Sequence, residues 1–139
     1  MPVAGTLTLD NEPLELGRAA EWLDERLGEA GTPPRMVAAL QVALEEVLNN
    51  ILSHAYADPD PHKIEVRLNV DAAAATLEFL DDGVPFDPTQ PRSTPPADDT
   101  MDEMGGLGIL FVHRLMDEVA FERVGERNHL TLRKFASSC

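Results

Sequence analysis

The amino-acid sequence predicts an α+β fold, a two-layer sandwich in which a mixed, mostly antiparallel sheet packs against helices. Two observations carry that prediction. Segments that alternate polar and apolar residues recur along the chain, and segments with apolar residues three and four apart lie between them; the first pattern marks half-buried strands, the second one-faced helices. The order is β-α-α-β-β-lid-α-β-β, so helices and strands fall into separate runs rather than alternating one for one. At 139 residues the chain has the length of one domain, and residues 1–139 are read as one.

Each element has its own signal. Thr6-Leu7-Thr8-Leu9 alternates as a short strand, and Asp10-Asn11-Glu12-Pro13 turns the chain. Leu16, Ala19, Ala20, Leu23 and Leu27 form the apolar face of a first helix, which Gly28 and Gly31 are expected to end. Thr32-Pro33-Pro34 opens a second helix with a hydroxyl N-cap followed by proline, and Val37, Leu40, Leu44, Val47, Leu48, Ile51, Leu52 and Ala55 carry it to about Tyr56. Asp58-Pro59-Asp60-Pro61 stops it. Lys63 to Val70 and Thr76 to Leu80 alternate as strands, with Ala72–Ala75 as the hairpin between them. From Val84 to about Met104 periodicity disappears among prolines and acids, which marks either a functional lid, placed at about 87–104, or a disordered segment. Gly105-Gly106-Leu107-Gly108 leads into a helix from Ile109 to Met116. Strands Glu118–Val124 and His129–Phe135 close the chain around a turn at Gly125–Asn128.

Charge and composition exclude several functions. Twenty-five Asp and Glu against eleven Lys and Arg leave a net charge of −14. Such a surface repels phosphate backbones, so no nucleic-acid partner is expected, and any bound nucleotide must be held locally by backbone amides and a divalent cation. The single cysteine, Cys139, excludes an internal disulfide framework or a cysteine metal cluster. No apolar run approaches the roughly 18 residues of a membrane span, and no basic-then-apolar leader opens the sequence. A cytoplasmic protein with no membrane partner is the expectation.

Three segments could carry chemistry. Residues four apart on a helix lie nearly above one another, so Glu46, Asn50 and His54 form one stripe and Glu45, Asn49 and Ser53 a neighbouring one. A carboxylate and a carboxamide at this spacing could share a hydrated Mg²⁺ site, the amide oxygen ligating and the carboxylate orienting or deprotonating a hydroxyl. Spacing alone does not choose between the pairs. Asp81-Asp82-Gly83 ends a strand with a carboxylate able to accept a hydrogen bond from an exocyclic amine, followed by a glycine that lets a flat ring approach the backbone. Gly105-Gly106-Leu107-Gly108 presents free N–H groups at a helix N-terminus, where phosphate binds. Each alone has a plainer reading: a solvated helix face, an Asp-Gly turn, a lid hinge.

Taken in this order, the three resemble the N, G1 and G2 boxes of the GHKL (Bergerat-fold) ATPases. The details resemble the bacterial anti-sigma-factor serine kinases of the RsbW/SpoIIAB type. The residues that carry the likeness are Glu46-x-x-x-Asn50-x-x-x-His54-Ala55-Tyr56, Asp81-x-Gly83-x-x-Phe86-Asp87-Pro88, Gly105-Gly106-Leu107-Gly108-Ile109, Leu115-Met116-Asp117 and Leu130-Thr131-Leu132-x-Lys134. The resemblance implies that Glu46 and Asn50 are the functional pair, Asn50 coordinating the Mg²⁺ of Mg-ATP and Glu46 acting as general base. It implies that Asp81 recognises the adenine amine above Gly83, that Gly105, Gly106 and Gly108 offer amides to the phosphates, and that Thr131 supports the adenine contact through water. It further implies a partner switch: a sigma factor sequestered, a serine phosphorylated on a STAS-domain anti-sigma-factor antagonist, and a possible homodimer. The alternative is an ATP-binding anti-sigma protein with little or no kinase activity.

Overall fold

The computed structural model describes residues 2–54, 56, 60–85 and 112–138, with the side chains of His54 and Ser138 excepted. The lid at 87–104, the glycines at 105, 106 and 108, and the start of the helix expected from Ile109 lie outside the described residues. The elements are β1 (Val3–Asp10), α1 (Glu15–Glu29), α2 (Pro34–His54), β2 (Lys63–Val70), β3 (Ala74–Asp81), β4 (Glu118–Val124), β5 (Arg127–Phe135) and a closing 3₁₀ turn, Ala136–Ser138. Residues 112–115 are helical. The five strands form one sheet in the order β1-β2-β3-β5-β4. The α+β class holds, and among the described residues every strand pairing is antiparallel, with none of the parallel pairing that a mixed sheet would add.

One face of the sheet meets the helices. Leu9 from β1, Ile64, Val66, Leu68 and Val70 from β2, Ala75, Leu77 and Phe79 from β3, and Leu130 and Leu132 from β5 are buried with Leu23, Leu27, Leu40, Leu44, Val47, Leu48 and Ile51 from the helices. Truncating a leucine such as Leu23 to alanine in this core costs about 2–5 kcal/mol, the transfer of the lost atoms plus the cavity. Gly5 shows how closely α1 lies on β1: a Cβ there would sit 3.3 Å from Trp22 Cζ2. Gln41 Nε2 on α2 donates to the Ala20 carbonyl on α1 at 2.9 Å and holds the two helices together. The other face is charged, with Arg67 and Arg127 on Glu65, His129 on Glu78 and Arg133 on Glu118.

Four local expectations change. Gly28 stays inside α1; Gly31, at φ +69°, ends it, with Thr32 N–H donating to the Leu27 carbonyl and Gly31 N–H to that of Gly28. Thr32 does not cap α2: its hydroxyl is buried without a partner among the described residues, and the Pro33 carbonyl accepts the first bonds, from Met36 and Val37. The β2–β3 turn comes from Asp71, whose Oδ1 accepts from the N–H groups of Ala73 (2.8 Å) and Ala74 (2.9 Å), so that Ala74 and Ala75 belong to the strand. The last hairpin is a two-residue turn, Gly125-Glu126, with Gly125 at φ +62°, which places Arg127 and Asn128 in β5.

Candidate active site

The two Glu–Asn stripes on α2 meet different surroundings. Glu45 and Asn49 are exposed, Glu46 is half-buried, and Asn50 is only 8% exposed. Turns of 100° put Asn50 at the flank of the face that buries Ala43 and Val47, with Glu46 one turn earlier toward the rim. Asn50 Oδ1 is buried and has no hydrogen-bond partner among the described residues. A buried carboxamide oxygen without a donor costs free energy, about 1–3 kcal/mol, unless something external satisfies it. A solvated helix face has no such atom; the Glu45–Asn49 stripe is the solvated one.

At the end of β3, Asp81 is 5% exposed and sits in a row of residues running across the sheet. Ile64 pairs with Asp81, Asp81 with Asn128, and Asn128 with Arg123. The Gly83 N–H donates to Asp81 Oδ1 at 2.9 Å, and Asn128 Nδ2 donates to the same oxygen at 3.0 Å. Among the described residues no hydrogen bond reaches Asp81 Oδ2. Burial raises the Asp81 carboxyl above the ordinary aspartate range, with neighbouring Asp82 adding to it; the bonds from Asn128 and Gly83 and the Arg123 charge pull the other way.

Tyr56, just beyond α2, connects the two patches. Its ring stacks on His62, centroids 4.2 Å apart, and His62 Nδ1 lies 3.0 Å from Asp82 Oδ1. Burial, followed by Asp81 and Asp82, pushes the Tyr56 phenol well above its usual range. The C-terminal end of α2, which carries Asn50, therefore lies beside the end of β3, which carries Asp81 and Gly83. His62 is anchored in turn to the first loop, since its N–H donates to Asn11 Oδ1 and its carbonyl accepts from the Asn11 N–H.

The structure brings Asp81 and Gly83 together and sets Glu46 and Asn50 on the buried side of α2, but it does not bring Thr131 to them. Side chains alternate along a strand. Asn128, Leu130 and Leu132 of β5 point into the core, so Thr131 faces the opposite side of the sheet, opposite Glu78. Asn128 is the β5 residue that reaches Asp81. Sequence reasoning missed it by assigning it to the turn. Arg123 was missed as well: its Nη1 donates to the Gly83 carbonyl at 2.8 Å and to Asn128 Oδ1 at 3.0 Å. The signal available for both was the glycine at 125, since a two-residue turn there makes Arg123 and Asn128 cross-strand neighbours.

Residues 9–134 match the histidine kinase-like ATPase domain, a span that takes in both helices, β2 to β5 and the glycine-rich turn. The chain belongs to that ATPase family. Among relatives within it, the serine/threonine-protein kinase BtrW of Bordetella bronchiseptica is 32% identical over 115 residues, covering 82% of this chain and 81% of its own. The serine-protein kinase RsbW of Listeria monocytogenes is 29% identical over 121 residues, 82% of this chain and 76% of that one. RsbW of Bacillus velezensis is 32% identical over 107 residues, 68% and 66% of the two chains. This ATPase-family member thus falls among protein kinases, the enzyme class that its motifs resemble. No helix among the described residues is long and apolar enough to cross a membrane.

Proposed function

We propose that this protein binds Mg-ATP where α2 meets the end of β3 and transfers the γ-phosphoryl group to a serine of a STAS-type antagonist, and that it sequesters a sigma factor when that antagonist is absent. The observation that carries the reading is Asn50 Oδ1, buried and without a partner among the described residues, one helical turn after a half-buried carboxylate. A magnesium ion fits this donor set, since it takes hard oxygen ligands and keeps most of its waters, needing few protein groups. Asn50 would hold it, and the bound ion supplies neutralisation of phosphate charge.

The remaining roles fall to the chain itself. Glu46 takes the proton of the serine hydroxyl as its oxygen bonds to the γ-phosphorus; the bond from that phosphorus to the β,γ-bridging oxygen breaks, and ADP leaves. Asp81 Oδ2 accepts from the adenine amine, while the Gly83 backbone admits the ring. The amides of Gly105, Gly106 and Gly108 would receive the phosphates. Thr131 is not part of this arrangement; its support of the adenine contact passes to Asn128. Resemblance to the RsbW/SpoIIAB kinases supports the choice of partners and the cytoplasmic setting.

The test is to mix the protein with ATP, Mg²⁺ and the cognate antagonist and look for phosphoserine by mass spectrometry. Wild type is expected to produce it. Glu46→Gln keeps nucleotide affinity and slows transfer by about 10²–10⁴-fold, the usual worth of a general base. Asn50→Ala loses Mg-ATP binding. Nucleotide binding and sigma retention without any phosphoserine would establish the binding-protein alternative instead.

A further inference from the structure

We propose that Arg123 is a positioning residue that sets base preference at the nucleotide site, by bracing the Asn128 carboxamide and the Gly83 turn, the two donors that keep Asp81 an acceptor. The inference rests on the reading that Asp81 receives the exocyclic amine of the purine.

A carboxamide can be turned two ways, exchanging its oxygen and its NH₂ group. Three neighbours decide the orientation of Asn128. Arg123 Nη1, a group that only donates, lies 3.0 Å from Asn128 Oδ1. On the other side, Nδ2 reaches two acceptors, Asp81 Oδ1 at 3.0 Å and the Val84 carbonyl at 2.9 Å. Turning the amide over would set oxygen against two oxygens and NH₂ against the guanidinium. The same guanidinium nitrogen also donates to the Gly83 carbonyl at 2.8 Å, so it holds the turn whose N–H binds Asp81.

The consequence falls on Asp81. The two donors converging on Oδ1 favour the ionised carboxylate, which then faces the base as an acceptor through Oδ2. An acceptor suits a 6-amino purine and repels the oxygen of a 6-keto purine. Remove the guanidinium, and Asn128 Oδ1 and the Gly83 carbonyl both lose their donor, so the amide and the turn, whose N–H groups bind Asp81 Oδ1, are held less firmly. The carboxyl then gains from carrying a proton, which burial already favours, and a protonated carboxyl can donate to a 6-keto group. Arg123 stands on the outermost strand and is itself exposed, so its replacement removes these bonds without opening the core.

The experiment compares ATP with ITP, which carries oxygen in place of the 6-amino group. Calorimetry with Mg²⁺ measures both affinities on the full chain, as wild type, Arg123→Met, Arg123→Lys and Asp81→Asn, with circular dichroism to verify folding. Arg123→Met is expected to weaken ATP about tenfold, the equivalent of one good hydrogen bond, and to leave ITP within about twofold. Arg123→Lys, which keeps a donor-only cation, restores most of the preference. Equal loss of both nucleotides in Arg123→Met would reduce Arg123 to a structural role and overturn the inference. An unchanged ATP/ITP ratio in Arg123→Met, with that ratio collapsing in Asp81→Asn, would overturn it while leaving the Asp81 reading intact. An unchanged ratio in Asp81→Asn would remove the reading beneath it, and the inference with it.

Discussion

Asp71 and Asp81 bracket β3, and each accepts two hydrogen bonds on a single carboxylate oxygen. Their ionisation nevertheless shifts in opposite directions. At Asp71, fully exposed, the N–H groups of Ala74 and Ala73 stabilise the anion with almost no desolvation to oppose them, and the carboxyl falls below its ordinary range. At Asp81 burial outweighs the donors, and the carboxyl rises. The same local chemistry makes a turn at one end of the strand and a buried acceptor at the other. What differs is water. A carboxylate that costs the fold free energy where it stands is a candidate for a role other than folding, and the acceptor role proposed for Asp81 is one.

Replacing that acceptor gives the largest expected effect. Asp81→Asn should weaken ATP binding by about 10- to 100-fold, the worth of a hydrogen bond to a charged acceptor, measured by calorimetry. The same variant should raise the melting temperature of the nucleotide-free protein at neutral pH, because it removes a buried charge while keeping an oxygen for Gly83 and Asn128. A stability loss in this variant would break the contrast between the two aspartates. Next in size is Asn128→Ala, which takes donors from Asp81 and from the Val84 carbonyl together. It should lower folding stability by about 1–3 kcal/mol in denaturant titration.

Acidity sharpens the comparison further. A carboxyl raised in the folded state contributes stability that is complete below its unfolded pKa and is lost as pH rises through the folded value. Asp81 therefore destabilises the nucleotide-free protein as pH climbs through its raised range, and Asp81→Asn flattens that limb of the stability profile. ATP affinity runs the other way, falling as acid protonates the acceptor. Asp71, lowered in the fold, contributes stability above its unfolded pKa that disappears as pH falls through the folded one. The smallest effect expected is that of Asp71→Ala: a modest drop in melting temperature at neutral pH, absent in strong acid, with ATP affinity unchanged.

Much of the fold was legible because its signals are local. The alternation of Ile64, Val66, Leu68 and Val70 delimits β2 to the residue, and the four-residue steps of Leu23 and Leu27, and of Leu40, Leu44 and Leu48, mark the two helices. Turns were read less well. Asp71 shapes its hairpin through a side-chain bond that composition does not display, and the run of alanines beside it distracted from the residue that acts. At the last hairpin, assigning four residues to the turn instead of two displaced Asn128 from its strand and hid its pairing with Asp81. The choice of Glu46 and Asn50 over Glu45 and Asn49 came from resemblance, since both pairs have the same spacing; the structure separates them by burial.

The chain by itself determined its element types, its acidic surface, and the three motifs whose order resembles that of ATP-dependent kinases, because each is written in residues near one another or in plain counts. Only the tertiary structure decided which face of α2 carries a buried oxygen that no described residue satisfies. It alone decided that Thr131 faces away from the site, and that Arg123 and Asn128 attend Asp81 from two other strands. Those outcomes depend on strand register. A shift of one residue sends every side chain to the opposite face, and pairing between residues 47 apart in sequence is set by how the whole sheet closes over its core.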